Sequence, residues 1–180
     1  MHRNLLLERL SAHTPYDGHE AVMMEALRQF VAAHADCFER SLQIGHITGS
    51  AWIVDRDRTH ALLTHHRKLN KWLQLGGHAD GDPDILRVAL REAREESNLE
   101  AIRPVSEDIF DVDIHVIPAC GAEPEHLHYD VRFLFEADRS APIAASEESR
   151  SLVWMPLAEI SRVNPEESLA RMVAKTRLAM

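Results

Sequence analysis

Three glutamates, Glu92, Glu95 and Glu96, stand at i, i+3 and i+4 in a segment that reads as helix. On a helix of 3.6 residues per turn these positions fall within roughly 100° of arc, so three carboxylates share one face. Carboxylates that close repel one another unless a cation or bound protons offset them. Hard oxygen donors on a rigid element suit Mg²⁺ (or Mn²⁺), which binds through a few carboxylates together with substrate phosphates and water. The plainer reading of the same residues is a solvated acidic face threaded with Arg91 and Arg94.

The flanks favour a site. Gly76-Gly77 precedes an acidic segment, His78 to Asp84, which leads into the helix. Asp82 or Asp84 is a natural N-cap, and Pro83 suits a first helical turn. Leu86, Ala89, Leu90 and Ala93 form an apolar stripe that would lay the helix against a core and turn the carboxylates toward a cleft.

Gly76–Leu99 resembles the signature of the Nudix hydrolase superfamily, whose box opens on a glycine and closes on Arg-Glu-aliphatic-x-Glu-Glu-x-Gly-aliphatic. Gly77 opens it here, Arg91-Glu92-Ala93-Arg94-Glu95-Glu96 fills the helix, and Leu99 closes it. Three positions depart from the pattern: Pro83 stands where an upstream glutamate is expected, Ala93 is small, and Asn98 replaces the closing glycine. Asn is the next residue to accept a left-handed C-cap, which makes the last change mild.

The resemblance implies a metal-dependent enzyme that cleaves a diphosphate linked to another moiety, water attacking phosphorus. Carried onto this chain, it makes Glu92, Glu95 and Glu96 metal ligands with the Gly76 carbonyl, and gives Arg91 the task of fixing a box carboxylate. The general base stays open between a glutamate of the helix and a carboxylate outside it. Glu148, six residues before Trp154, is the foremost outside candidate, and Asp130 is a second. Two other readings compete: a noncatalytic diphosphate-binding module, which Pro83 leaves open, and a diphosphate isomerase. The isomerase would need a cysteine and a glutamate converging on carbon, and Cys37 and Cys120 lie in no motif that matches it.

Further candidates lie outside the helix. His65, Lys68 and Lys71 gather positive charge just before the box, where cations could meet substrate phosphate oxygens; an exposed basic loop is the alternative. His126 and His128 share a face if their segment is extended, and with His78 or His115 they could hold a transition metal or let His128 touch substrate. Trp52 and Trp72 could stack on a base but suit a core better.

The rest of the chain must position these groups. Apolar residues recur at helical spacing from Met1 to about Ala35, interrupted at Thr14 to Gly18. Strand patterns follow at Ile44–Val54, Ala61–Thr64, Ile109–Ile117, Tyr129–Phe135 and Leu152–Trp154, with a last helix from about Pro165 to Leu178. The expectation is an α/β fold: an α/β/α sandwich on a mixed sheet spanning residues 41–180, preceded by a helical extension over residues 1–40. Hydrophobic residues make up 45% and charged ones 27% of the 180, ordinary for a globular chain. A net charge of −9 argues against general nucleic-acid binding, which draws its affinity from phosphate neutralisation. The absence of a membrane-length apolar run, of a secretory pattern and of paired cysteines points to a cytoplasmic protein. The expected partner is a small diphosphate substrate, with a homodimer possible through the N-terminal helices.

Overall fold

A computed structural model describes residues 2–67, 69–121, 124–147 and 149–178. Two helices open the chain, α1 (Asn4–Ala12) and α2 (Gly18–Ala33). Strands β1 (Gly45–Val54), β2 (His60–His66), β3 (Lys71–Leu73) and β4 (Leu75–His78) follow. Helix α3 (Ile85–Ser97) carries the three glutamates, and β5 (Arg103–Pro104), β6 (Asp111–Ile117), β7 (His126–Glu136) and β8 (Ser149–Pro156) come next. The short α4 (Ile160–Val163) and α5 (Glu167–Leu178) close the described chain.

The eight strands form one mixed sheet with helices on both faces, the α/β/α arrangement expected. Strands β1 and β7 run parallel from Gly45 beside Leu127 to Val54 beside Glu136. The other pairings are antiparallel. The second edge of β1 is divided: β2 meets it at Val54, while β4 covers Thr48 to Ala51. That fork curls the sheet and sets β1 and β4 side by side as the strands over which α3 is laid.

Side chains alternate along β1, and the two faces bury different things. Ile47, Ala51 and Ile53 join a core with α3 and the N-terminal helices, including Leu6, Leu10, Leu27, Phe30 and Val31. Trp52 and Val54 join the other core with Leu169, Met172 and Val173 of α5. Trp52 also donates from Nε1 to the Thr176 hydroxyl at 2.8 Å, satisfying its one polar atom. Trp72 packs against the same core.

Helix α3 departs from the sequence reading in two details. Asp84 is the cap, and Pro83 stands just before it, not in the first turn. Its buried face centres on Ile85, Val88, Ala89 and Ala93, leaving Leu86 and Leu90 only half-buried at its border. Asn98 closes the helix at φ 58°, the left-handed conformation expected of it. Gly49 explains how closely the helix lies: a Cβ there would meet the Ile85 carbonyl at 3.0 Å and Val88 at 3.1 Å.

Charges are also buried between sheet and helices. Arg132 of β7 is 2% exposed and bonds Asp130, Asp111 and Asp113 at 2.7, 3.1 and 3.0 Å. Arg171 of α5 grips Asp111 from the other side at 2.7 and 3.0 Å. Lys175 joins Asp111 to Glu20 of α2, so the N-terminal helices are tied into the same network. Burial alone would push the Glu20 carboxyl up, but hydrogen bonds from His13, Lys175 and the Tyr16 amide outweigh it and hold the pKa at about 2.

Removing one member of such a network leaves an uncompensated charge. Arg132→Met should lower the unfolding free energy by about 3–5 kcal/mol in urea titrations. Because the folded pKa of Glu20 lies below its ordinary value near 4.5, the unfolded chain takes up the proton first. The contribution is therefore complete above that value and is lost as pH falls toward 2, and Glu20→Gln should flatten the acid limb of a stability–pH profile.

Candidate active site

The site is built where α3 crosses the glycine edge of β4. Gly77 has no Cβ, and one placed there would meet Glu92 Oε2 at 2.5 Å, so the glycine is what admits this carboxylate against the strand. Glu96 Oε2 accepts a hydrogen bond from the Gly76 amide at 3.1 Å. In an extended residue the amide and carbonyl leave on the same edge of the strand, so the Gly76 carbonyl also faces α3. The Glu92 and Glu96 carboxylates thus both lie against the Gly76–Gly77 edge.

Arg91 holds this arrangement from the side. Its Nη2 donates to Glu92 Oε1 at 2.7 Å and to the His78 carbonyl at 2.9 Å, tying helix to strand. Burial raises the Glu92 pKa above its ordinary value, with Glu95 and Asp80 pushing the same way and Arg91 opposing them. Glu95 is exposed at the rim of the group. Carboxylates on one helix face, one of them desolvated, offer hard oxygen donors of the kind Mg²⁺ and Mn²⁺ take, although the described group whose donor atoms all lie within 4.8 Å of one another is His46, His78 and His128. Arg91 and the Gly76 amide donate to this group, one as a charged and the other as a neutral donor.

The other candidates fall elsewhere. Lys71 donates its ammonium to Glu166 at 2.5 Å, ahead of α5. His65 stacks on Trp72 across the β2–β3 pair at 4.9 Å between centroids. Lys68 and Glu148 lie outside the described residues. Asp130 is 1% exposed and accepts from Thr48, Ser50, Gln74 and Arg132, so its oxygens are engaged in tying β1, β7 and the β3–β4 junction together. Cys37 lies in the apolar core with its thiol pushed up to about 11 by burial, and Cys120 is exposed in another part of the chain. Neither stands as an isomerase would require.

His128 is not alone. It sits among His46, His78, His115 and His126, brought together from β1, β4, β6 and β7. His46 was missed in the sequence because a single histidine at a strand start carries no local pattern. The register that sets it beside His128 is a long-range fact. Burial is the main reason that the pKa of His78 falls to about 4 and that of His128 to about 2, with neighbouring histidines adding to both.

Comparison with known proteins agrees with the geometry. Residues 46–175 match the NUDIX domain, and the chain belongs to this family. A C. elegans Ap4A hydrolase in a binary complex superposes with a TM-score of 0.60 at 18% identity, over 74% of this chain and 96% of that one. The E. coli dihydroneopterin triphosphate pyrophosphohydrolase gives 0.58 at 12%, over 74% and 96%. The NUDIX domain of Shewanella oneidensis NrtR, crystallised with ADP ribose, gives 0.51 at 15%, over 84% and 96%. No curated protein matches the sequence. At these identities the superpositions establish the fold alone. Among the described residues no helix is long and apolar enough to cross a membrane.

The close approach at Gly77 gives a direct test. Gly77→Ala should displace the Glu92 carboxylate and weaken Mn²⁺ binding about tenfold by calorimetry, with an unchanged circular dichroism spectrum.

Proposed function

We propose that this protein is a Mg²⁺- or Mn²⁺-dependent pyrophosphohydrolase acting on a nucleoside diphosphate linked to another moiety. Membership of the Nudix family supports pyrophosphate-bond hydrolysis in general terms. The finer reading rests chiefly on one observation, the convergence of Glu92 and Glu96 on the Gly76–Gly77 edge. Substrate class draws support from fold neighbours whose names concern Ap4A and ADP ribose.

In this proposal Glu92, Glu95, Glu96 and the Gly76 carbonyl hold the ion. When bound, the ion would neutralise diphosphate charge and lower the pKa of a coordinated water. The chain's own residues do the rest. Arg91 keeps the Glu92 carboxylate fixed by a charge-assisted bond and prevents its rotation away from β4. Half-buried Glu92 is the carboxylate of the group whose pKa burial raises, which suits it to accept a proton from attacking water, with Glu148 the candidate outside the helix. The Glu96–Gly76 bond sets the spacing between helix and strand. Lys68, Lys71 and His65 are proposed phosphate contacts; for Lys71 this requires exchange of its Glu166 partner for substrate. No observation specifically favours a noncatalytic module, since Arg91 and all three glutamates are present.

Glu95→Gln and Glu96→Gln should each lower turnover at least about a hundredfold on a panel of dinucleoside polyphosphates and nucleotide sugars, with the fold intact. Chelator should abolish activity and Mg²⁺ restore it. Near-native rates in either variant would remove that residue from the site, and no hydrolysis across the panel would overturn the substrate class.

A further inference from the structure

The histidines on β1, β4 and β7 make a second constellation, chemically unlike the carboxylates and independent of the hydrolase reading. Ring centroids of His46, His78 and His128 form a nearly equilateral triangle with sides of 5.0, 4.9 and 5.0 Å. One ligand nitrogen from each ring lies within 4.8 Å of the others. His126 stands 5.0 Å from His46 and 5.1 Å from His128 between centroids, and its Nε2 comes to 3.3 Å from His128 Nε2.

His46 supplies an independent sign that something belongs in the triangle. It is 4% exposed, and neither ring nitrogen makes a hydrogen bond of ordinary geometry to a described residue. The Leu42 backbone lies near enough to favour the protonated ring, but in a geometry short of a regular hydrogen bond. A buried polar group left without a partner is destabilising, and at least one nitrogen of this ring stands in that condition. His126 points to the same conclusion. Its Nδ1 lies 2.9 Å from the Pro124 carbonyl, the orienting contact that fixes a ligating imidazole and leaves Nε2 as a lone pair. That lone pair accepts a hydrogen bond from His128 Nε2 at 3.3 Å, a contact that a bound ion would replace.

We propose that His46, His78 and His128 bind a divalent transition-metal ion of the zinc class, with His126 completing the coordination. Imidazole nitrogen suits zinc, cobalt or nickel and disfavours the hard Mg²⁺ of the carboxylate group, so the two sites would sort metals by donor type. Tetrahedral Zn–N bonds of about 2.0–2.1 Å place ligand nitrogens roughly 3.3 Å apart. The His126–His128 nitrogen pair already has that spacing, and the ligand nitrogens of His46, His78 and His128 lie within 4.8 Å of one another. The ion would join three neighbouring strands of the sheet, β1, β4 and β7. It would also couple to the carboxylate group, because Arg91 holds the His78 carbonyl.

The test uses the metal-stripped full-length protein titrated with Co²⁺ alone, read by the visible d–d absorption of tetrahedral cobalt and by Zn²⁺ competition. One equivalent should bind with the tetrahedral band. The band should persist in a combined Glu92→Gln, Glu95→Gln, Glu96→Gln variant. His128→Ala and His78→Ala should each weaken binding at least about a hundredfold, and His126→Ala about tenfold. Circular dichroism of each variant checks folding, and His78, half-exposed, tolerates truncation better than buried His46. Absence of the tetrahedral band in the unaltered protein would overturn the proposal without recourse to any variant. So would its loss in the carboxylate variant alone, or unchanged affinity in folded His78→Ala.

Discussion

The parallel pairing of β1 with β7 is the constraint on which the other features depend. Its register sets His46 beside His128, Thr48 beside Asp130, Ser50 beside Arg132 and Trp52 beside Leu134. Strand β6 extends the rows, placing His115 beside His128, Asp113 beside Asp130 and Asp111 beside Arg132. One face of the sheet therefore passes from imidazoles, through an ion network, to the apolar floor under α5. A slip of one residue would turn every one of these side chains to the opposite face, driving Arg132 into the core that Phe133 and Phe135 now share with α3. Few registers of a strand pair could be so strongly specified.

The ion network explains how the N-terminal helices belong to the molecule. An apolar stripe alone would let α1 and α2 pack in several ways. Glu20 is fully buried and must meet its partners, His13, Lys175 and the amides of Tyr16 and Val112. That requirement selects one placement of α2 against β6 and α5. Buried ion networks contribute little net stability compared with apolar packing, but they penalise alternatives heavily. The chain uses this penalty to bring its two ends together: Lys175 from the last helix and Glu20 from the second meet over Asp111.

Local chemistry made much of this legible in the sequence. The carboxylate spacing, the Asp84 cap, the Asn98 terminus, the interruption at Thr14 to Gly18 and the alternation of β7 all act within a few residues, and the structure places elements where those signals stand. The family signature worked for the same reason, since its glycine and glutamates are joined by a single strand, turn and helix. Strands β3 and β4 were less visible: they are short, and Gly76-Gly77 reads as a loop until β1 pairs with it. The role of Asp130 could not be inferred either, because its donors come from β1, from β7 and from Gln74 between β3 and β4. His46 and the ion network are likewise products of register, and register is a property of pairs of distant segments.

The proposed hydrolysis requires a divalent cation held by the α3 carboxylates against the glycine edge. Electron paramagnetic resonance of Mn²⁺ added to the chelator-treated protein measures this directly, since protein-bound and aqueous Mn²⁺ give different signals. The account predicts a bound fraction in the unaltered protein that disappears when Glu92, Glu95 and Glu96 are together replaced by Gln. Equal Mn²⁺ binding with and without those three carboxylates would contradict it.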